Sequence, residues 1–281
     1  MAASFTPKQH ITLSAADLAE LQGNGSTQAI KFALSLISPF TLKSIIHDNG
    51  CGAGAVSEVI FTSEPSPPTG LRIHATDINP QFVEGTRSLA QAKDWPITAE
   101  VMDARELSFG DEFFTHSITA FVFHGFPEAE RATREIRRTL QPGGVALVTI
   151  WSSLPHIDVL QHAHWATRGK DGPMPLYLPE ETLLTGEDLK KMVEAGGFSD
   201  VNVHEVVAKV RITDLERWAQ LAWSFLGRLP EPEPWKTQDE EKWDETIKII
   251  VDGMQGNGNM ERGSDGNLYM RVVGNVAVAK K

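Results

Sequence analysis

Three glycines and an aspartate are evenly spaced near residue 50, in the order Asp48, Gly50, Gly52 and Gly54. Glycines let the backbone of such a loop approach a ligand closely, and the N-terminus of the following helix offers free N–H groups to an anion. A carboxylate at residue 48 would repel a pyrophosphate, but it suits a ligand with a cationic amino group. Because Gly50, Gly52 and Ala55 also satisfy the relaxed dinucleotide pattern, the loop alone leaves a nicotinamide cofactor open.

Two more acids end later predicted strands. Asp77 follows the strand at 71–76, where its carboxylate can accept hydrogen bonds from both hydroxyls of a ribose. Asp103 follows the strand at 97–102, placed to accept from an adenine amino group while Met102 packs on the ring. Ligands of open α/β sheets bind at the carboxyl ends of the strands, so we expect the three acids to face one ligand. Each acid alone would fit a helix cap equally well, but the ordered trio beside a glycine loop favours a binding site.

A sheet must hold these acids, and the sequence predicts one. Strands are expected at 44–47, 71–76, 97–102, 117–123, 145–151, 201–210 and 269–279, and helices at 55–61, 81–92, from Pro127 to the Pro142-Gly143-Gly144 turn, and at 187–195, 213–226 and 239–255. Alternating strands and helices imply right-handed crossovers and a parallel sheet covered on both faces. The hairpin-like segment 256–267 leads to the last strand without a helix, which favours antiparallel pairing there. The predicted fold class is α/β, a Rossmann-like, doubly wound, mostly parallel sheet of seven strands with an antiparallel last strand and a helical lid.

We expect one domain over residues 1–281. An N-terminal helical cap (1–40) precedes a ligand-binding core (41–210), a helical lid insertion (211–267) and the last strand (268–281). Five of the seven tryptophans follow the fifth strand, and most are expected to form a local core there.

Composition narrows the classes of partner. The formal net charge is −11, and a duplex-binding surface needs a basic stripe, so nucleic acid and anionic membranes are not expected partners. Cys51 is the single cysteine, which excludes an intrachain disulfide and a cysteine-based zinc site. No secretory leader and no apolar run of about 18 residues is found, so a cytoplasmic protein is expected. We expect a monomer or a weak homodimer.

With these motifs the chain resembles class I methyltransferases that depend on S-adenosylmethionine (SAM). The acidic glycine loop and the acids after strands 2 and 3 carry the resemblance, as do TAFVFHGF for the fourth strand and LQPGGVALV before the fifth. It covers about residues 40–210 and the last strand. A proline-rich insertion at 64–68 stretches the spacing to Asp77, and Gly125 stands where the family often has a second histidine.

The resemblance implies SAM as cofactor, S-adenosylhomocysteine as product and no metal. The glycine backbone would hold the amino-acid part of SAM, Asp77 the ribose and Asp103 the adenine amino group. The cofactor-binding residues implied are Asp48, Gly50, Cys51, Gly52, Gly54, Asp77, Ile78, Met102, Asp103, Ala104, Ala120 and Phe121.

The length and layout are similar to fungal secondary-metabolite methyltransferases, in particular the thiol S-methyltransferases of the gliotoxin type. A thiol, with a reference pKa near 8.5, needs only modest help to ionise, and the acceptor is expected to be a small molecule. His124, just past the fourth strand, is the candidate general base. His156 and Asp158 are expected in the loop after the fifth strand, as a wall of the acceptor pocket.

Three alternatives stay open. The acceptor nucleophile can be oxygen or nitrogen in another natural product. An NAD(P)-dependent oxidoreductase explains Gly50, Gly52 and Asp77 but leaves Asp48 and Asp103 without a role. A partner protein that binds SAM without transferring methyl is also compatible with the sequence, because the family has no obligatory catalytic residue.

Overall fold

A computed structural model describes residues 5–124, 126–176, 178 and 183–281 of the chain. The chain divides into two compact units. The sheet unit comprises residues 26–152, 183–207 and 273–281. The helical unit comprises the residues up to 25, 153–182 and 208–272.

The helices in chain order are α1 (Ala15–Gln22), α2 (Gly25–Ser35), α3 (Ala55–Thr62), α4 (Pro80–Lys93), α5 (Ala129–Thr139), α6 (His156–Arg168), α7 (Gly186–Ala195), α8 (Leu215–Leu226), α9 (Thr237–Glu241) and α10 (Trp243–Gly256). The strands are β1 (Ile45–Asn49), β2 (Arg72–Asp77), β3 (Ile97–Val101), β4 (Phe114–Ala120), β5 (Leu140–Ser153), β6 (Asp200–Ile212), β7 (Met260–Arg262) and β8 (Leu268–Lys280). The predicted alternation of strands and helices is confirmed.

The strands form one mixed sheet in the order β3-β2-β1-β4-β5-β8-β6. β1 pairs in parallel with β2 and β4, β2 with β3, and β4 with β5. Backbone hydrogen bonds join Lys281 to Gly143 and Gly144 at the start of β5, and the Ser152 hydroxyl donates to the Val273 carbonyl at its end. These contacts give β8 the predicted antiparallel direction.

In the described part of the chain the sheet has eight strands, where seven were expected. The additional strand, β7, pairs antiparallel with the start of β8, Met260 opposite Met270 and Arg262 opposite Leu268. It lies inside the Gly/Asn-rich segment 256–267. The turn closes because the Gly263 N–H donates to the Asn267 carbonyl at 2.9 Å, so the segment described above as hairpin-like contributes a strand of its own.

Both faces of the sheet are covered, as a mostly parallel sheet requires. Alternate residues of β5 divide between the two faces. Leu147 packs with Ile46 and Ile118 against the α2 and α3 side chains, whereas Val148 and Ile150 pack against α5 and α7.

Some predicted boundaries were wrong. β4 spans 114–120 rather than 117–123, because the chain turns at Phe121, which has a φ of 59°. β5 begins at Leu140, ahead of the glycine turn, because Leu140 already pairs with Phe114. The helix expected at 239–255 is two helices, α9 and α10. Residues 156–168, expected to begin as a loop, form the helix α6.

The helical unit has its own core. Four tryptophans, Trp218, Trp223, Trp235 and Trp243, are at most 4% exposed, which confirms the local core predicted for them. Arg168 lies over the rings of Trp223 and Trp235 and binds Asp239 through Nε at 2.7 Å, with both charged side chains buried. Within the described ranges, no helix has the length and apolar character needed to span a bilayer.

Candidate functional site

The glycine loop begins where β1 ends and is fastened to β2. Gly50, Gly52 and Gly54 have φ angles of 74°, 51° and 89°, a region that favours glycine. The N–H groups of Gly50 and Cys51 both donate to the Thr76 carbonyl, at 2.8 and 2.9 Å. Gly54 is the N-cap of α3, so the helix begins directly after the loop.

The three glycines differ in what surrounds them. A Cβ on Gly50 would overlap the Val122 side chain, and one on Gly54 would come within 3.0 Å of Leu89. A Cβ on Gly52 would meet no atom within 4 Å. Gly50 and Gly54 are therefore required for packing, whereas the Cβ position of Gly52 faces open space.

Asp77 ties the end of β2 to this loop. Its Oδ2 accepts a hydrogen bond from the Gly52 N–H at 3.0 Å, and its Oδ1 accepts from the Asn79 N–H at 2.9 Å. Each carboxylate oxygen has a second lone pair, so the side chain keeps the capacity to accept from a ligand hydroxyl. Ile78, the next residue, is 65% exposed, which leaves its side chain available for contact with a ligand.

Asp48 lies beneath the loop and is fully buried. Its Oδ2 accepts from the Ser57 hydroxyl at 3.0 Å, and its Oδ1 has no hydrogen-bond partner among the described residues. Burial raises the pKa of this carboxyl group to about 7, against the ordinary value of 3.8. The ionised form is thus an uncompensated negative charge that a cationic group of a ligand would balance.

Replacing Asp48 by asparagine should stabilise the ligand-free protein above about pH 7. Between about pH 4 and 7 the folded wild type binds more protons at this carboxyl group than the unfolded chain, so its stability falls as pH rises through that window. The Asp48→Asn variant lacks this loss, which at about 3 pKa units amounts to about 4 kcal/mol. We therefore expect its melting temperature, relative to that of wild type, to be roughly 8–16 °C higher at pH 8 than at pH 4. Thermal unfolding at pH 4 and pH 8 measures the difference. An equal difference at both pH values would contradict the assignment.

Asp103 follows β3 and is held by a neighbouring arginine. The Arg105 guanidinium donates to both carboxylate oxygens, through Nε at 3.0 and 3.1 Å and through Nη2 to Oδ2 at 2.6 Å. These hydrogen bonds hold the pKa of Asp103 below its ordinary value. Asp103 is therefore ionised. If an adenine amino group binds at this carboxylate, as predicted, it shares the carboxylate with the Arg105 guanidinium.

The strand register brings the ends of β2 and β3 together. Asp77 pairs with Val101, and the Met102 N–H donates to the Asp77 carbonyl at 3.1 Å. The Met102 sulfur accepts from the Ser108 hydroxyl at 3.4 Å, and Ala104 is buried. The predicted ribose and adenine residues thus lie on adjacent strand ends.

His124 is not arranged as a general base. Its Nε2 accepts a hydrogen bond from the backbone N–H of Trp151 at 2.8 Å, so the lone pair that a base would use is engaged. In the neutral ring the other nitrogen then carries the hydrogen. Burial also lowers the pKa of His124. The predicted catalytic role is not supported by this geometry. Of the two cofactor-binding residues predicted here, Ala120 ends β4 and Phe121 directly follows it.

His156 and Asp158 lie in the first turn of α6 rather than in a loop. Burial lowers the pKa of His156 to about 4, and its ring lies 5.8 Å from that of Trp218 in the helical unit. The prediction that these two residues lie in a loop was therefore wrong, because residues 156–168 form a helix.

Sequence reasoning missed four residues that shape the site: Ser57, Arg105, Val122 and Trp151. Arg105 could have been recognised from the sequence, because it lies two residues after Asp103. The roles of Val122 and Trp151 could not, because the residues that they contact are distant in sequence. In the described part of the chain, no group of three or more His, Cys, Asp or Glu side chains is arranged to hold a metal ion.

Comparison with known proteins shows that part of the sheet unit is similar to a known family. The model of the methyltransferase domain family matches residues 47–148. Methyltransferase tpcH of Aspergillus fumigatus is 30% identical over 169 residues, covering 58% of this chain and 60% of the relative. The acetylaranotin bis-thiomethyltransferase of Aspergillus terreus is 28% identical over 177 residues, covering 60% of this chain and 59% of that protein. The chain thus spans about three fifths of the length of these curated relatives.

Solved structures show the same fold. The YcgJ protein of Bacillus subtilis superimposes with a TM-score of 0.56 over 90% of this chain and 97% of that protein, at 15% sequence identity. The residues present fit SAM, the cofactor of this domain type. The open space at Gly52 would suit the amino-acid part of SAM, the unpartnered oxygen of Asp48 its amino group, and the remaining lone pairs of Asp77 its ribose. The matched region thus resembles a methyltransferase domain that uses SAM, and the chain is similar to fungal methyltransferases over about three fifths of its length.

Proposed function

We propose that this protein transfers a methyl group from SAM to a small-molecule acceptor, and that the acceptor atom is a thiol sulfur. One observation carries the proposal. The glycine loop has an open backbone position at Gly52 and is tied by hydrogen bonds to the strand-end carboxylate Asp77. When bound, SAM supplies a methyl group already activated by its sulfonium.

The residues of the sheet unit would act by binding and orientation. Asp48 would balance the cationic amino group from beneath the loop, and Asp77 would fix the ribose. Asp103, held ionised by Arg105, would orient the adenine beside Met102. Methyl transfer is an in-line displacement, so positioning of the two reactants supplies a large share of the rate enhancement.

The state of the nearby ionisable groups favours a thiol acceptor. The Nε2 of His124 is occupied by the Trp151 N–H, and Asp48 is buried away from solvent. Burial raises the pKa of the Cys51 thiol to about 12, so this residue is unsuited to act as a nucleophile or base. A thiol acceptor with a pKa near 8.5 ionises without a strong protein base, unlike an alcohol. The similarity to a bis-thiomethyltransferase supports the same choice.

A matched set of acceptors tests the proposal. Purified protein is incubated with methyl-labelled SAM and with benzyl mercaptan, benzyl alcohol or benzylamine, which differ only in the nucleophilic atom. Label is expected on the mercaptan. Label on the alcohol or amine alone would identify an O- or N-methyltransferase. Calorimetric titration with SAM and with NAD distinguishes a methyltransferase from an oxidoreductase. A protein that binds SAM but transfers methyl to no acceptor in a metabolite extract would be a non-catalytic SAM-binding protein.

Turnover should not depend on added metal. A sulfonium is a good leaving group without a Lewis acid, so methyl transfer to a thiol is expected to proceed unchanged in excess EDTA. Initial rates with and without EDTA measure this. A loss of activity that magnesium restores would contradict the prediction.

A further inference from the structure

The turn after β4, residues 121–124, has an unusual start. Ala120 and Phe121 pack against the same hydrophobic cluster, although successive residues of a strand point to opposite faces. The φ of 59° at Phe121 explains this, because a left-handed residue redirects its side chain. The Phe121 ring then stacks on Trp151, with centroids 4.2 Å apart and planes 10° from parallel.

Both ends of this turn are fixed to β5. The Phe121 N–H donates to the carbonyl oxygen and to the hydroxyl oxygen of Thr149, at 3.0 and 3.1 Å. At the other end, His124 accepts from the Trp151 N–H. A bulky residue with positive φ costs on the order of 1–3 kcal/mol, so such a turn persists only when its surroundings determine it. The hydrogen bonds to Thr149 and Trp151 meet that requirement.

The same turn touches the glycine loop. The Val122 side chain covers Gly50 so closely that a Cβ on Gly50 would overlap it. Trp151 is in turn packed over Gly274, where a Cβ would lie 3.2 Å from the indole Cε3. A continuous set of contacts therefore leads from His124 through Trp151 and Phe121 to Val122 and the glycine loop.

We infer that His124 is a positioning residue for the cofactor site. By accepting the Trp151 N–H it holds the turn in the shape that places Val122 on Gly50, and so it sets the geometry of the loop that binds SAM. The inference rests on the proposed function only in taking this loop as the cofactor site. It assigns His124 an effect on cofactor affinity, where a general base would affect the chemical step.

Two substitutions separate these roles. Glutamine places its Oε1 the same number of bonds from Cβ as Nε2 of histidine, so His124→Gln keeps the acceptor but supplies no base. His124→Leu keeps bulk and removes the acceptor. We measure the affinity for S-adenosylhomocysteine by calorimetry at pH 6.5, 7.5 and 8.5. We expect about a tenfold loss for His124→Leu and at most about a threefold loss for His124→Gln, because only leucine leaves the Trp151 N–H unpaired.

Val122→Ala leaves His124 intact and removes the contact between the turn and Gly50. It replaces His124→Leu as the test if the leucine variant folds poorly. It should weaken S-adenosylhomocysteine binding, and its effect should not add to that of His124→Leu in the double variant, since both act on one loop. Near-ultraviolet circular dichroism is expected to change in His124→Leu and not in His124→Gln, because the Phe121–Trp151 stack loses its anchor.

The results can overturn the inference in identifiable ways. Equal affinities for wild type and His124→Leu would refute the positioning role while leaving the cofactor assignment intact. A glutamine variant as weak as the leucine variant would show that the acceptor atom is not what matters. Wild-type protein that fails to bind S-adenosylhomocysteine would refute the proposed function, and the cofactor role of His124 with it.

Discussion

Gly50→Ala is expected to lower the free energy of unfolding by about 2–5 kcal/mol. A left-handed residue with a Cβ costs about 1–2 kcal/mol, and forcing extra volume into a packed contact costs about 1–3 kcal/mol. Both costs apply here, because Gly50 has a φ of 74° and its added Cβ would overlap Val122. Chemical denaturation followed by circular dichroism gives the difference.

Gly52 provides the matched control. It lies in the same loop with a φ of 51°, yet a Cβ there meets no atom within 4 Å. Gly52→Ala should therefore show the backbone cost alone, about 1–2 kcal/mol. The double variant Gly50→Ala/Val122→Ala should recover the part caused by overlap. If the two single glycine variants were equally destabilised, the packing of Val122 on the loop would not be the cause.

Asp77→Ala is expected to weaken SAM binding by about 1.5–3 kcal/mol or more, since ligand hydroxyls lose a charged acceptor. The structure adds a second reason. The Gly52 and Asn79 N–H groups donate to this carboxylate, so its removal also loosens the loop that would bind the cofactor. Titration calorimetry with SAM measures the change, and an affinity equal to that of wild type would refute the ribose assignment.

Asp103→Ala is the comparison for this prediction. Both of its oxygens already accept from Arg105, and the adenine would keep its packing against Met102. The loss of SAM affinity should therefore be smaller than for Asp77→Ala. If Asp103→Ala bound SAM as tightly as wild type, Asp103 would be a turn residue that only holds Arg105.

The sequence alone determined the α/β alternation, the glycine loop and the strand-end acids. These features depend on local rules: residue alternation in strands, helical spacing of apolar residues, and the freedom of glycine at positive φ. The match of residues 47–148 to a methyltransferase domain agrees with what those motifs predicted. Asp77 accordingly lies beside Gly52, the contact that carries the proposed function.

The tertiary structure decided how the predicted side chains are used. His124 stands at the expected strand end, yet its Nε2 is engaged by an N–H that lies 27 residues further along the chain. Asp48 follows the predicted strand pattern, but its burial and its raised pKa depend on the packing of α3 over β1. The strand β7 forms because β8 offers it an edge. Such outcomes depend on which distant groups meet in space, and a local pattern of residues does not specify that.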